Sequence, residues 1–489
     1  MSARVSVSRG EATDVTLDAT LDATPDVPLG YGLLAAVEAI GSIVDERPRL
    51  TRTYGHVRSV SATRLTTDLG SLPVGEVCRV TEPGGRTIQG QVVAIEDGEA
   101  VLAPLESVDG LSPDAEVAPL GHAFSVPVGP ALLGRVVDGL GRPIDGRDLP
   151  TEGMALTPVE GRAVSPMDRP VVADVFETSV RAIDATATLG VGQRVCLLGP
   201  AGAGKTSLLA QLARHSEADV VVLALIGERG REVREFLDRQ LPPEFRERCV
   251  VVASTSERPA MERLTAGKVA ATIAEHFRDQ GRSVLLLFDS MTRYARALRE
   301  VSLAAGEPAV RRGYTPSVYA ELPKLVERAG TSPRGTVTAL FSVLVENEGA
   351  NDPIAEEVTS LTDGHIVLSQ KLARAGHYPA IDVLASRSRL MGEIVGGAHR
   401  AGADRLRELM AKYDEIELLI QVGEYKPGND ELADEAVAKR EEIEGFLRQR
   451  GRDGAGLSET IGALNAIVNA PVDADEATEL DDLPIAGTA

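Results

Sequence analysis

The stretch VCLLGPAGAGKTSLLAQLAR at residues 195–214 decides the fold. Its apolar opening reads as a buried strand and its end as a helix. Between them Gly199-Pro200-Ala201-Gly202-Ala203-Gly204-Lys205-Thr206 satisfies G-x-x-x-x-G-K-[ST] in the strand-loop-helix setting that gives this spacing its meaning. The glycines let backbone N–H groups turn inward around phosphate oxygens, and the helix N-terminus adds partial positive charge. Lys205 is expected to reach the β- and γ-phosphates of ATP, the Thr206 hydroxyl to ligate magnesium, and Ser207 to complete the binding loop.

Further apolar runs alternate with helical segments on either side of this loop: VVVLALIG, VVVAST, VLLLFD and VTALFSVL. That alternation predicts an α/β domain with a doubly wound, mainly parallel sheet. Two of the runs deliver carboxylates to one rim. Asp289 closes VLLLFD, and ligands of such sheets bind at the C-terminal ends of the strands. Alone, an Asp there is more often a helix cap; beside a P-loop it suits the magnesium shell, through a bound water. Glu228 ends the run before GREVREF, where a carboxylate can orient and polarise an attacking water. Arg229 just beyond is counted with the ATP-binding residues, and either pairs with Glu228, relays to a neighbouring subunit or is a surface arginine. Positive charge for the transferring phosphoryl group is offered by Arg387 and Arg389 in DVLASRSRLMGEI.

Working outward, residues 1–50 read as a polar arm with the near repeat LDATLDATPDVP, followed by a short amphipathic helix from Gly30 to Ile43. Residues 51–126 carry short β-rich runs broken by Gly, Pro and Asp-Gly turns, the pattern of a small barrel. The nucleotide-binding domain spans 127–396 and a helical domain 397–450. From 451 to 489 the acidic, Pro-containing sequence predicts a disordered tail.

Composition narrows the function. A formal charge of −22 over 489 residues disfavours non-specific nucleic-acid binding, which rests on Lys and Arg neutralising phosphates. With 3% aromatic residues and no Trp, the core must be aliphatic, and base-stacking surfaces are scarce. Cys78, Cys196 and Cys249 form no C-x-x-C pair, which argues against a disulfide framework or structural zinc and fits a reducing, cytoplasmic setting. No signal segment or membrane-spanning apolar run is expected.

Taken together, the P-loop, GERGREV, LLLFDSMTRYARA, GYTPSVYAELPKLVERAG, DPIAEEVTSLTDGHIVLSQKLARAGHYPAIDVLASRSR and VGEYKPGNDELADEA resemble the type III secretion ATPases. That family is similar to the catalytic subunits of rotary F-type and V-type ATPases. The resemblance runs from about Gly55 to Arg450. It implies an N-terminal β-barrel, a RecA-like core, a C-terminal helical domain and a homohexamer that holds ATP with magnesium between neighbours. By position it makes Arg389 the arginine finger acting on the adjacent subunit's ATP, and Tyr378 of HYPAID the residue that packs on adenine. Without the resemblance, Tyr378 would read as core. Glu228 stands where non-catalytic rotary subunits carry another residue, which marks a catalytic copy. Arg387 replaces the family's usual small or apolar residue, so which arginine is the finger stays open; Pro200 is a second departure.

The resemblance further implies a central stalk protein, peripheral stator proteins, chaperone–substrate complexes as partners, and a location at the cytoplasmic face of the inner membrane. GEYKPGNDELADEA is closer to the injectisome branch than to the flagellar one. A flagellar export ATPase, a rotary F- or V-type subunit, a regulatory subunit that holds ATP without turnover, and a RecA-like nucleic-acid motor are the alternatives.

Overall fold

The computed structural model describes residues 54–150, 152–345 and 352–468. The expected arm and short helix within 1–50, and residues 469–489, lie outside the described residues.

Six strands, Gly55–Val60, Leu65–Thr67, Glu76–Thr81, Thr87–Glu96, Glu99–Pro104 and Glu116–Ala123, close into an antiparallel barrel. Alternate residues of these strands turn inward, so Val57, Leu65, Val80, Ile88, Val92, Leu102 and Val117 pack as one cluster with the Cys78 thiol. A two-residue turn joins the fourth and fifth strands. Both of its residues, Asp97 at φ 47° and Gly98 at φ 83°, take the left-handed conformation that matches the twist of a hairpin. Closure removes the unpaired edges that a small open sheet would expose.

The core is a nine-stranded sheet among the described residues. In spatial order its strands are Ile381–Ser388, Gly364–Leu368, Arg194–Gly199, Thr336–Leu344, Ser283–Asp289, Val220–Glu228, Cys249–Thr255 and Arg135–Val137, with Gly330–Thr331 paired beside Thr336–Leu344. All neighbours are parallel except Ile381–Ser388 and Gly330–Thr331. Helices cover both faces, which is why the central strands are continuous apolar runs rather than alternating ones. Thr336–Leu344 separates the P-loop strand from the strand ending in Asp289, and the strand ending in Glu228 lies next beyond. Parallel register therefore brings Gly199, Asp289 and Glu228 to one rim. Cys196 and Cys249 are buried in this sheet as Cys78 is in the barrel, and burial pushes each of the three thiols up to about 12.

The helical domain contains Gly397–Gln421 and Glu431–Leu447, the second capped by Asp430, whose carboxylate accepts from Ala433 N at 3.1 Å. A third helix, Leu457–Val468, overturns the expectation of disorder for that part of residues 451–489. Its Ile461, Leu464 and Val468 recur at helical spacing, a stripe that the acidic composition of the flanking tail obscured. Leu464 and Val468 join Leu406, Leu409, Ile443, Phe446 and Ile183 in one buried cluster. Full burial of Leu464 contributes about 1.5–3 kcal/mol. Gly402 makes the close approach possible, since a Cβ there would stand 2.3 Å from Asn465 Oδ1.

Candidate active site

The P-loop follows strand Arg194–Gly199 and ends where helix Lys205–His215 begins. Gly202 at φ 83° and Gly204 at φ 89° hold left-handed turns that β-carbon-bearing residues rarely adopt. Gly204 has a second reason to be glycine, because a Cβ there would meet the Tyr378 ring at 3.3 Å. Tyr378 is thus beside the loop rather than in the core, and 46% of it is exposed. Ala203 is buried, while Ala201, Gly202 and Thr206 face solvent.

Lys205 and Asp289 are nearly inaccessible, and Lys205 Nζ lies 2.7 Å from Asp289 Oδ1. The same oxygen accepts from Ser342 Oγ at 2.7 Å, a contribution of the intervening strand. That strand is also fixed to helix Met291–Ala304, where Leu344 N donates to Thr292 Oγ1 at 2.9 Å. Asp289 is therefore fixed in place by a hydrogen bond and an ion pair on one oxygen.

Glu228 is less enclosed and pairs with Arg293, whose Nε lies 3.1 Å from Oε1. Arg293 stands four residues past Asp289, in the first turn of helix Met291–Ala304. Its stem crosses directly over Gly227, where a Cβ would come within 2.9 Å of Arg293 Cδ. Burial and the Asp289 carboxylate raise the Glu228 pKa, while Arg293 and Lys205 pull it down. Arg229 does not take this place: it is exposed and its guanidinium lies 3.3 Å from Glu232. Of the three readings of Arg229, pairing with Glu228 is thereby removed.

Thr206, Glu228 and Asp289 line one cleft of about 230 Å³, together with residues of the segment Glu232 to Gln240. A second cleft, of about 650 Å³, is lined by Arg387, Arg389, Arg400, Arg407, His365, Glu393 and Asp404 among others. The two clefts share no lining residue. Arg387 and Arg389 are exposed at the end of the edge strand Ile381–Ser388, and both remain candidates. Arg407 reaches this strand from the helical domain and donates to Ser386 O at 3.1 Å.

Comparison with known proteins agrees with this arrangement. Residues 179–388 match the ATP synthase alpha/beta family, nucleotide-binding domain, 68–121 its beta-barrel domain, and 395–466 the T3SS EscN ATPase C-terminal domain. A "Type 3 secretion system ATPase" of Sinorhizobium fredii is 45% identical over 91% of this chain and 97% of its own length. The chain belongs to the type III secretion system ATPases. The "SPI-2 type 3 secretion system ATPase" of Salmonella typhimurium is 48% identical over 85% of the chain and 95% of its own length, against 40% for the "Flagellum-specific ATP synthase" of Bacillus subtilis. Among solved structures, assembled EscN of enteropathogenic E. coli is 43% identical and superposes with a TM-score of 0.81, covering 85% of this chain and all of EscN. EscN in complex with its central stalk EscO gives a TM-score of 0.79 at 42% identity over the same shares.

As a type III secretion system ATPase, the chain hydrolyses ATP to energise protein export. Sequence reasoning missed Arg293 and Ser342 at its site. Neither had a local signal, because only the sheet order brings Ser342 to Asp289 and Arg293 to Glu228. No described helix is long and apolar enough to cross a membrane.

Proposed function

We propose that this type III secretion system ATPase works as a homohexameric ring in which Arg389, with Arg387 beside it, acts on ATP held by the adjacent subunit. The observation that carries this reading is the separation of the clefts: one chain holds a P-loop with its two carboxylates, and the arginines line another cleft altogether. A head-to-tail ring closes such halves on each other. Within the P-loop cleft, Lys205 holds the phosphates, Glu228 orients the attacking water and accepts its proton, and Tyr378 stacks on the adenine. Ser207 and the backbone from Gly199 to Thr206 cradle the phosphate chain.

Magnesium fits the donors present. Among the described residues no cluster of three or more His, Cys, Asp or Glu side chains is built for a metal. Magnesium with a nucleotide needs only one or two protein ligands besides phosphates and waters. The solvent-facing Thr206 hydroxyl would supply one, and the Asp289 carboxylate would hold the ion through a bound water. When bound, the ion neutralises charge developing on the phosphate oxygens.

The likeness to EscN bound to EscO supports a central stalk partner for this ring. Stator proteins, chaperone–substrate complexes and a cytoplasmic position on the inner membrane complete the reading, and nucleic acid has no part in it. The test is ATPase rate against protein concentration for the wild type, Arg389→Ala, Lys205→Ala and an equal mixture of the two mutants. A rate that rises faster than linearly, is lost in each mutant and returns in part on mixing supports a shared site. A linear rate indifferent to Arg389 rejects it.

A further inference from the structure

The chain enters the P-loop strand through Gln193, a completely buried amide. Its Nε2 donates to Asp363 O at 3.0 Å and to Ser388 Oγ at 3.1 Å. Asp363 O is also the acceptor for Arg389 N, at 2.9 Å. One side chain thus grips both the residue before Arg389 and the carbonyl that holds the Arg389 backbone. The other amide atom is committed too, since Gln193 Oε1 accepts from Gly190 N at 2.8 Å. This fixes which way the amide faces and leaves its NH2 group to the arginine segment. The next residue, Arg194, reinforces the grip with Nε 3.2 Å from the Asp363 carboxylate.

From Gln193 the strand runs straight to Gly199 and the P-loop. At about 3.3 Å per residue the amide and the loop are roughly 20 Å apart, too far for Gln193 to touch nucleotide bound to its own subunit. We infer that Gln193 is a positioning residue for the arginine finger, tying Arg389 to the strand that carries the P-loop of the same subunit. This rests on the trans-finger reading and deepens it: the element that senses nucleotide at one end sets the finger at the other. A guanidinium displaced by about 1 Å from the transferring phosphoryl group is enough to cost on the order of 100-fold in rate.

The experiment is a double-mutant cycle. Gln193→Ala and the milder Ser388→Ala, which deletes only the hydroxyl that Gln193 reaches, are each made alone and with Arg389→Ala. The readouts are kcat, KM for ATP and the affinity for a fluorescent ATP analogue. The expected result is a kcat loss of about 10- to 100-fold for Gln193→Ala and a few-fold for Ser388→Ala. Nucleotide affinity should stay within twofold, and neither change should lower kcat further once Arg389 is gone. Losses that multiply with that of Arg389→Ala, a parallel fall in nucleotide affinity, or wild-type kcat in both variants overturns the inference while leaving the finger in place. If Gln193→Ala does not fold, Ser388→Ala decides alone. Wild-type kcat in Arg389→Ala itself sinks the finger reading first, and this inference with it.

Discussion

The P-loop cleft and the arginine cleft differ in how their charges are answered. At the first, the two carboxylates are met by cations of the same chain, Asp289 by Lys205 and Glu228 by Arg293. In the second, Arg387 and Arg389 are exposed, with no carboxylate in ion-pair range of either among the described residues. A self-compensated cleft can be assembled with the fold, since its buried charges are paired. A cleft with surplus positive charge is suited to an anion that arrives from elsewhere. The pairing also grades the two carboxylates: Asp289 is fixed by two partners on one oxygen, whereas Glu228 has one cationic partner at its side and lines an open cleft.

The largest break in this comparison should come from the uncompensated side. Arg389→Ala is expected to lower kcat by about 1,000-fold or more, with the affinity for a fluorescent ATP analogue little changed. A comparable loss from Arg387→Ala alone, with Arg389→Ala near wild type, would move the finger by two residues. Next comes Glu228→Gln, for which single-turnover assays should show about 100-fold slower hydrolysis and retained nucleotide binding. Unchanged turnover removes Glu228 from the chemistry.

A subtler effect is expected when the partner of Glu228 is removed. Burial and Asp289 raise its pKa and Arg293 opposes them, so Arg293→Met should raise it further. In the role proposed for Glu228 the ionised form accepts the proton, so activity should fall as pH drops through that pKa. The acid limb of the kcat–pH profile should therefore move to higher pH in the variant, and an unmoved limb would detach Glu228 from it. The smallest change is Tyr378→Ala, for which loss of aromatic packing should raise KM for ATP by roughly 2- to 10-fold and leave kcat nearly constant.

What was legible in the sequence follows a physical boundary. The P-loop, Asp289 and Glu228 each end a local apolar run, and local runs determine strands whose C-terminal ends share a rim. The barrel and the first two C-terminal helices were readable for the same reason. Gln193, Ser342 and Arg293 are ordinary residues until sheet order and packing bring them against Ser388, Asp289 and Glu228. Tyr378 was placed only by family likeness, since nothing local distinguishes it from a packed ring. The helix Leu457–Val468 was lost by averaging its apolar stripe with the acidic residues that follow.

The three thiols have a practical consequence for chemical labelling. With Cys78, Cys196 and Cys249 buried and their pKa values pushed up to about 12, almost none is thiolate at neutral pH. These are all the cysteines in the sequence. A cysteine introduced at an exposed position is therefore the one thiol that a maleimide dye or spin label will modify readily in the folded protein. In the ring proposed above, distances between labels on neighbouring subunits would then be measurable without first stripping the chain of its native cysteines.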